Sequence, residues 1–322
     1  MGTIWGIPLG EYQFMDIIKK FKALSDPTRL RLLNMLSHYE LNVNEIVSIV
    51  EMIQSGVSRH LKILLEAGLL VSRKDGSYIY YSDSRTEEAS DLIQFVVNHL
   101  GTDSVFSNDL ERAGQSISLR KNRTKRFFRT VAPQWDRLKK EVLGPLDLTR
   151  IICEQLGPCK TMADLGCGTG EILSCLVDLD KAKLIGVDAS PEMLEQARIR
   201  LPQRAHLELR LGELENLPMR NQEVDAAVMS MVLYHVVEPE KSICEVARVL
   251  KHRGRFVLAD FRHHNQEGIK EVIGGSWMGF KKEQIQEWLA ENSLSLEDYT
   301  EFKVEKNLVI ALYTAEKRTE TQ

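Results

Sequence analysis

The chain has 322 residues, more than one hydrophobic core ordinarily supports, so two folding units are expected. A composition 43% hydrophobic and 27% charged excludes wholesale disorder, and no apolar run reaches the roughly 18 residues of a membrane helix, so no membrane partner is expected. With a net charge of −4, five cysteines in no CxxC pair and no signal-peptide pattern, the expectation is a cytoplasmic protein with reduced thiols, and bulk charge argues neither for nor against nucleic acid.

From Glu11 the apolar residues Phe14, Ile17, Ile18, Phe21 and Leu24 recur at helical spacing, and Asp26-Pro27 stops that helix and opens the next, which carries Leu30, Leu33 and Leu36. A third helix reads Val43, Ile46, Val47 and Val50; a fourth opens near Ser55 with Val57, Leu61, Leu64 and Leu65 before Gly68. Such a succession suggests a helix-turn-helix core. Asp75-Gly76 then separates two β-prone runs, 69–74 and 77–82, the signal of a two-residue hairpin, which makes this the wing of a winged helix. Residues 86–100 form an amphipathic helix with Ala89, Leu92, Ile93, Val96 and Leu100 on one stripe, ended by Gly101. Residues 101–123 are rich in Ser, Asn and basic side chains and read as a linker that turns helical near Thr124. Six positive charges and no acid lie between Arg120 and Arg129, a run more often a solvated helix face than a phosphate site.

Beyond residue 160 strands alternate with helices, which implies a parallel sheet covered on both faces. Strands are expected at 161–165, 184–188, 206–210, 224–229 and 255–260, helices at 191–200, 239–250 and 282–291, and a closing hairpin at 302–305 and 308–313. The fold expected is an α+β winged helix-turn-helix over residues 1–100, a linker over 101–123, and an α/β Rossmann-like domain over 124–322.

Asp164-Leu165-Gly166-Cys167-Gly168-Thr169-Gly170 falls where the first of these strands meets its helix. Glycines there permit a tight turn and close approach of backbone to ligand, and the helix N-terminus offers free N–H groups. A dinucleotide fingerprint needs its third glycine at the position of Glu171, so a pyrophosphate is disfavoured. Asp188 ends the next strand, where a carboxylate can accept both ribose hydroxyls, and glycine loop plus ribose acid makes a nucleoside site. The succession DLGCGTG, GVDASPEML, GELENLP, VDAAVMSMVLYHV and ARVLKHRGRFVLAD resembles the motifs of class I S-adenosylmethionine-dependent methyltransferases over about residues 124–313. That resemblance implies binding of S-adenosylmethionine or S-adenosylhomocysteine. Asp164, Gly166, Cys167, Gly168 and Gly170 would face the amino-acid part, Asp188 the ribose and Gly212-Glu213 the adenine; Ser230, Met231 and Val232 would close the pocket, with Ala189 and Met193 completing the set. The family's Pro-Gly before its fifth strand is Arg253-Gly254 here. His235 is a conceivable base, although a structural role is favoured, and no catalytic residue is assigned; Cys153 and Cys159 read as packing residues.

Residues 21–83 resemble ArsR-type winged-helix repressors, through Phe21-Lys22-Ala23-Leu24-Ser25-Asp26-Pro27-Thr28-Arg29-Leu30 and Gln54-Ser55-Gly56-Val57-Ser58-Arg59-His60-Leu61-Lys62. The second stretch would be the recognition helix, with Gln54, Ser55, Ser58, Arg59, His60 and Lys62 facing double-stranded DNA while Arg73 and Lys74 of the wing touch phosphates. Residues 1–100 hold ten Lys plus Arg against twelve Asp plus Glu, so pattern and not charge carries this reading. Where many members of that family place metal-sensing cysteines, this chain reads Glu40-Leu41-Asn42-Val43-Asn44, and Asp91-Leu92-Ile93 lacks an expected histidine, so no metal is expected. The stripes at 14–24 and 89–100 lie on helices that build the dimer in the resembled family. The function expected is a homodimeric, S-adenosylhomocysteine-responsive regulator of methionine or methyl-cycle genes; the alternative is an active methyltransferase of a small-molecule acceptor whose winged helix regulates its own operon.

Overall fold

In the computed structural model the described residues are 13–100, 103–177, 182–203, 206–266, 268–269 and 273–318; Glu11 and Gly101, singled out above, lie outside them. The chain divides into two compact units, Met1–Leu119 and Arg120–Gln322.

The first unit runs α1 (Gln13–Leu24), α2 (Pro27–Leu36), β1 (Leu41–Asn42), α3 (Val43–Val50), α4 (Gln54–Glu66), β2 (Leu70–Asp75), β3 (Tyr78–Asp83) and α5 (Glu87–His99). Asp26 starts α2 by accepting from Arg29 N at 3.0 Å, with Pro27 at the first helical position, where its missing N–H costs nothing. Asn42 caps α3: its side chain accepts from Asn44 N and Glu45 N at 3.0 and 3.1 Å, and Glu45 accepts from Asn42 N at 2.9 Å. The asparagine standing where related regulators carry a thiolate is therefore a helix cap. The hairpin β2–β3 pairs Asp75 with Tyr78 across the turn, and β1 joins it to give a three-stranded sheet in the order β1-β3-β2.

The expected linker is instead helical from Ser104: α6 (Ser104–Val131) is continuous and extends past the division between the units. Its Ser and Asn content lowers intrinsic helix propensity, but burial overrides it. Asp109, Ala113 and Ile117 recur at i, i+4 and i+8 and are buried within the first unit, where Arg31 donates to both Asp109 oxygens at 2.7 and 2.8 Å.

The second unit continues with α7 (Trp135–Leu143), α8 (Leu148–Leu156), β4 (Thr161–Leu165), α9 (Glu171–Leu176), β5 (Lys183–Asp188), α10 (Pro191–Arg200), β6 (Leu207–Leu211), β7 (Val224–Ser230), α11 (Pro239–Val249), β8 (Leu250–Phe261), the helix Lys282–Glu291, β9 (Leu294–Lys303) and β10 (Val309–Lys317). Its seven-stranded sheet has the order β6-β5-β4-β7-β8-β10-β9, with β4 to β8 parallel and β10 antiparallel to both neighbours. The near-continuous apolar strands, such as Met162 to Leu165 and Ala226 to Met229, are buried because helices cover both sheet faces. Strand β8 begins at Leu250, earlier than the 255–260 expected, because a register shift against β7 takes up Arg253 at φ 60° and Gly254.

Asp109 is 2% exposed, so Asp109→Ala leaves the Arg31 guanidinium partly buried without its counterion. We expect a loss of about 3 kcal/mol, read as a lower denaturation midpoint of the first unit.

Candidate functional site

Strand order reverses at β4, whose neighbours β5 and β7 lead to opposite halves of the sheet, so a crevice opens at the carboxyl ends of these strands. A cleft of about 990 Å³, its open mouth included, lies there, lined by Asp164 from the end of β4, Asp188 from β5 and Ser230 from β7.

The glycine loop is held in place from several sides. Asp188 accepts from Gly168 N through one carboxylate oxygen and from Ser190 N through the other, both at 2.8 Å. Gly166, at φ 78°, passes so close to Val232 that a Cβ would lie 2.3 Å from its Cγ2, which only glycine avoids. Thr169 donates to Asp136 at 2.6 Å, and Arg200 bridges both, latching the loop to α7 and α10. Met231 takes φ 54°, rare for a side chain of its size, and donates its N–H to Ala259 O at 2.8 Å.

Ten of the twelve residues expected to bind the nucleoside line this cleft: Asp164, Gly166, Cys167, Gly168, Asp188, Ala189, Met193, Glu213, Ser230 and Met231. Gly170 and Gly212 stand behind it. Gly170 is the N-cap of α9 and bonds to Cys167 O at 2.8 Å; Gly212 N donates to Asp188 O at 3.0 Å and packs on Pro218. Of the other wall, sequence reasoning singled out His235 alone. Lys121, Thr124, Lys125 and Phe128 line the cleft from α6 at i, i+3, i+4 and i+7, joined by Trp135, Lys139 and His235. The signal is present in that spacing, but the basic run around it reads as a solvated face. Its cations are paired instead: Lys121 with Glu215 and Glu238 at 3.1 and 3.2 Å, Lys125 with Glu213, and Lys139 with Glu171.

Burial sets the acid–base character. Asp164 is 2% exposed, one of its oxygens has no partner among the described residues, and desolvation pushes its carboxyl up to about 7 despite the opposing field of Lys139. Desolvation likewise raises Asp188 to about 6 against the backbone bonds that favour its charge. The Cys167 thiol is driven well above its ordinary value by burial and two nearby carboxylates, so it is inert packing. Among the described residues no group of three or more His, Cys, Asp or Glu could hold a metal ion.

In the first unit Gln54, Ser55, Ser58, Arg59 and Lys62 are all exposed on α4, while Val57, Leu61 and Leu64 are buried beneath them. His60 is not with the exposed group: it is 8% exposed and turns inward, its Nδ1 3.7 Å from Asp26. A residue at that point of the helical period falls on the packed face, whatever its polarity. Arg73 is also committed, donating to both Glu40 oxygens at 2.7 Å and lying over the Tyr80 ring, whereas Lys74 is exposed.

Residues 26–72 match the model of the arsR family of bacterial regulatory proteins, and residues 163–258 match a methyltransferase domain. The chain joins an ArsR-family helix-turn-helix to a class I methyltransferase domain. It is 41% identical over 121 residues to an uncharacterised methyltransferase of Mycobacterium bovis, covering 36% of this chain and 47% of that one. It is 33% identical over 131 residues to the demethylmenaquinone methyltransferase of Desulfitobacterium hafniense, covering 39% and 50%. The chain thus spans half the length or less of these curated relatives. Among solved structures a putative methyltransferase of Haloferax volcanii, in complex with the activator Trm112, has a TM-score of 0.53 at 18% identity, covering 62% of this chain and 99% of that one. The [4+2]-cyclase SpnF scores 0.50 at 18%, covering 61% and 95%. At such identity these show the fold alone, and a cyclase built on it shows how far chemistry can differ. No helix among the described residues is long and apolar enough to cross a membrane.

If the ionised carboxylate of Asp188 receives ribose hydroxyls, affinity for S-adenosylhomocysteine should rise with pH through about 6 and into the region near 7 where Asp164 ionises. The sign follows from a raised free-state value: the free site holds protons that binding expels. Calorimetry in buffers of different ionisation enthalpy should detect their release, and a flat pH profile would contradict this assignment. Asp188→Ala should weaken the same ligand at least about tenfold, since bonds to a charged group contribute about 1.5 to 3 kcal/mol each.

Proposed function

We propose that this chain is a homodimeric, cytoplasmic DNA-binding regulator whose second unit binds S-adenosylmethionine or S-adenosylhomocysteine, with bound ligand altering affinity for the operator. The observation that carries this reading is one chain holding both an exposed polar row on α4 (Gln54, Ser55, Ser58, Arg59 and Lys62) and a strand-end cleft with a buried acid, Asp164, and a half-buried one, Asp188. The row has the character of a major-groove reader, and Asp188 at the end of β5 has that of a ribose ligand. Dimerisation is supported by large apolar side chains left exposed on α1 and α5, among them Phe21 at 58% and Phe95 at 61%. We take S-adenosylhomocysteine as the effector, the regulated genes being those of methionine or the methyl cycle. Cys167, Met231 and Val232 give the cleft apolar surface, and Asp164, raised to about 7, carries only part of a charge at neutral pH, so a sulfonium gains little there.

A second reading is favoured by the opposite wall of the cleft. Phe128, Trp135 and His235 line the cleft together with the residues expected to hold the nucleoside, and an aromatic wall there suits a methyl acceptor. Enzyme and regulator are compatible on one chain.

Operator fragments selected from random DNA by the purified protein should change affinity when S-adenosylhomocysteine is added, by about 5- to 150-fold for a coupling of 1 to 3 kcal/mol. Operator affinity indifferent to both ligands, alongside label transfer to an acceptor, would replace the regulator with the enzyme. Ser58→Ala with Arg59→Ala should abolish selectivity over random DNA while ligand affinity persists, because the two sites are made by separate units.

A further inference from the structure

We propose that Met52, Ile53 and Gly56, at the start of α4, form an apolar notch that seats the C5-methyl group of a thymine in the major groove and so selects thymine at one position of the operator. The inference rests on the DNA-binding reading above and names what one part of that surface recognises.

Two residues in the first turn of α4 are poor choices for a helix. Ile53 is its N-cap, with extended backbone at φ −66° and ψ 143°, and it makes no side-chain cap. That position favours a side chain bearing an oxygen, such as the Asp26 and Asn42 that cap α2 and α3, because the first N–H groups of a helix have no partner within it. Gly56 follows one turn on, its N–H donating to Ile53 O at 3.0 Å, and glycine in a helix is less stable than alanine. Packing within the unit explains neither. Ile53 is 76% exposed, so its side chain adds little to the core below, where Val57, Leu61 and Leu64 are buried. Gly56 lies in ordinary helical backbone, and a Cβ added to it would lie 3.5 Å from Met52 Cε and 3.7 Å from Ile53 Cγ1, so the chain itself has room for alanine there. Local rules that a sequence breaks without an internal gain are broken typically at functional sites.

The chemistry of the notch selects its occupant. With no side chain at Gly56, a carbon from outside can approach the backbone closely, flanked by Met52 Cε and Ile53 Cγ1. Around this opening the surface is polar, since Gln54, Ser55, Ser58 and Arg59 are exposed. In a helix-turn-helix the N-terminal residues of the recognition helix meet the base edges in the major groove. Those edges display hydrogen-bond donors and acceptors, which suit the polar row, and one apolar group, the methyl of thymine. Two hydrocarbon side chains and a bare Cα offer nothing to a donor or an acceptor and fit that methyl.

The test replaces thymine by uracil, which removes the methyl and nothing else, one position at a time in an operator fragment selected from random DNA by the full chain. Uracil at one thymine of the recognised site should weaken binding by about fourfold, the factor for one buried methyl. Gly56→Ala, which fills the opening, and Ile53→Ser, which removes one flank, should each bring the affinities for thymine and uracil at that position together. Both substitutions favour the helix, so both variants should show a higher denaturation midpoint of the first unit, which separates lost discrimination from lost folding. Indifference of the native chain to uracil at every thymine overturns the notch alone, as does a full uracil penalty that persists in either variant. Failure of the native chain to prefer its selected fragments over random DNA overturns the DNA-binding reading, and the notch with it.

Discussion

The carboxylate of Asp188 is the constraint on which the candidate nucleoside site depends. It stands at the end of β5 and uses one oxygen on Gly168 N and the other on Ser190 N, so a single side chain fixes the glycine loop after β4 and the entry to α10. Each carboxylate oxygen keeps a second lone pair, and those free lone pairs are where ribose hydroxyls would bond. The arrangement is costly, as the raised value of the carboxyl attests. The parallel order of β5, β4 and β7 brings Asp188, Asp164 and Ser230 to one edge of the sheet, where the charge of Asp188 adds to the raising of Asp164.

Much of this is legible in the amino-acid sequence. Periodicity and punctuation place the helices 191–200 and 282–291, the strand 161–165 and the wing with its turn at Asp75-Gly76, because each follows from local patterning that the tertiary structure reinforces. The cleft-lining residues at the ends of β4, β5 and β7 are legible because their motifs sit at strand ends. The opposite wall is legible only at His235, which lies in the motif that runs on from β7; Phe128 and Trp135 join it only by folding. His60 misleads for a related reason: polarity marks it as a reader, yet its place in the helical period turns it toward Asp26. The segment 104–119 misleads through composition, since its burial against Arg31 and its neighbours appears only in three dimensions.

The asparagines at positions 42 and 44 stand where the resembled regulators carry metal-sensing cysteines. Asn42 caps α3 there, and the same chain holds a strand-end cleft in another unit. A regulator built this way would exchange a metal for a metabolite of methyl transfer. An enzyme on the same scaffold would sense its own product, since S-adenosylhomocysteine is what methyl transfer leaves behind.

Coupling between the two sites is the central claim, and coupling of binding free energies is reciprocal. The most direct measurement is therefore the affinity of S-adenosylhomocysteine for the full chain, by calorimetry, in the absence and presence of saturating operator DNA. The account predicts that the affinity shifts by the same factor by which the ligand shifts operator affinity. An affinity unchanged by DNA would contradict it.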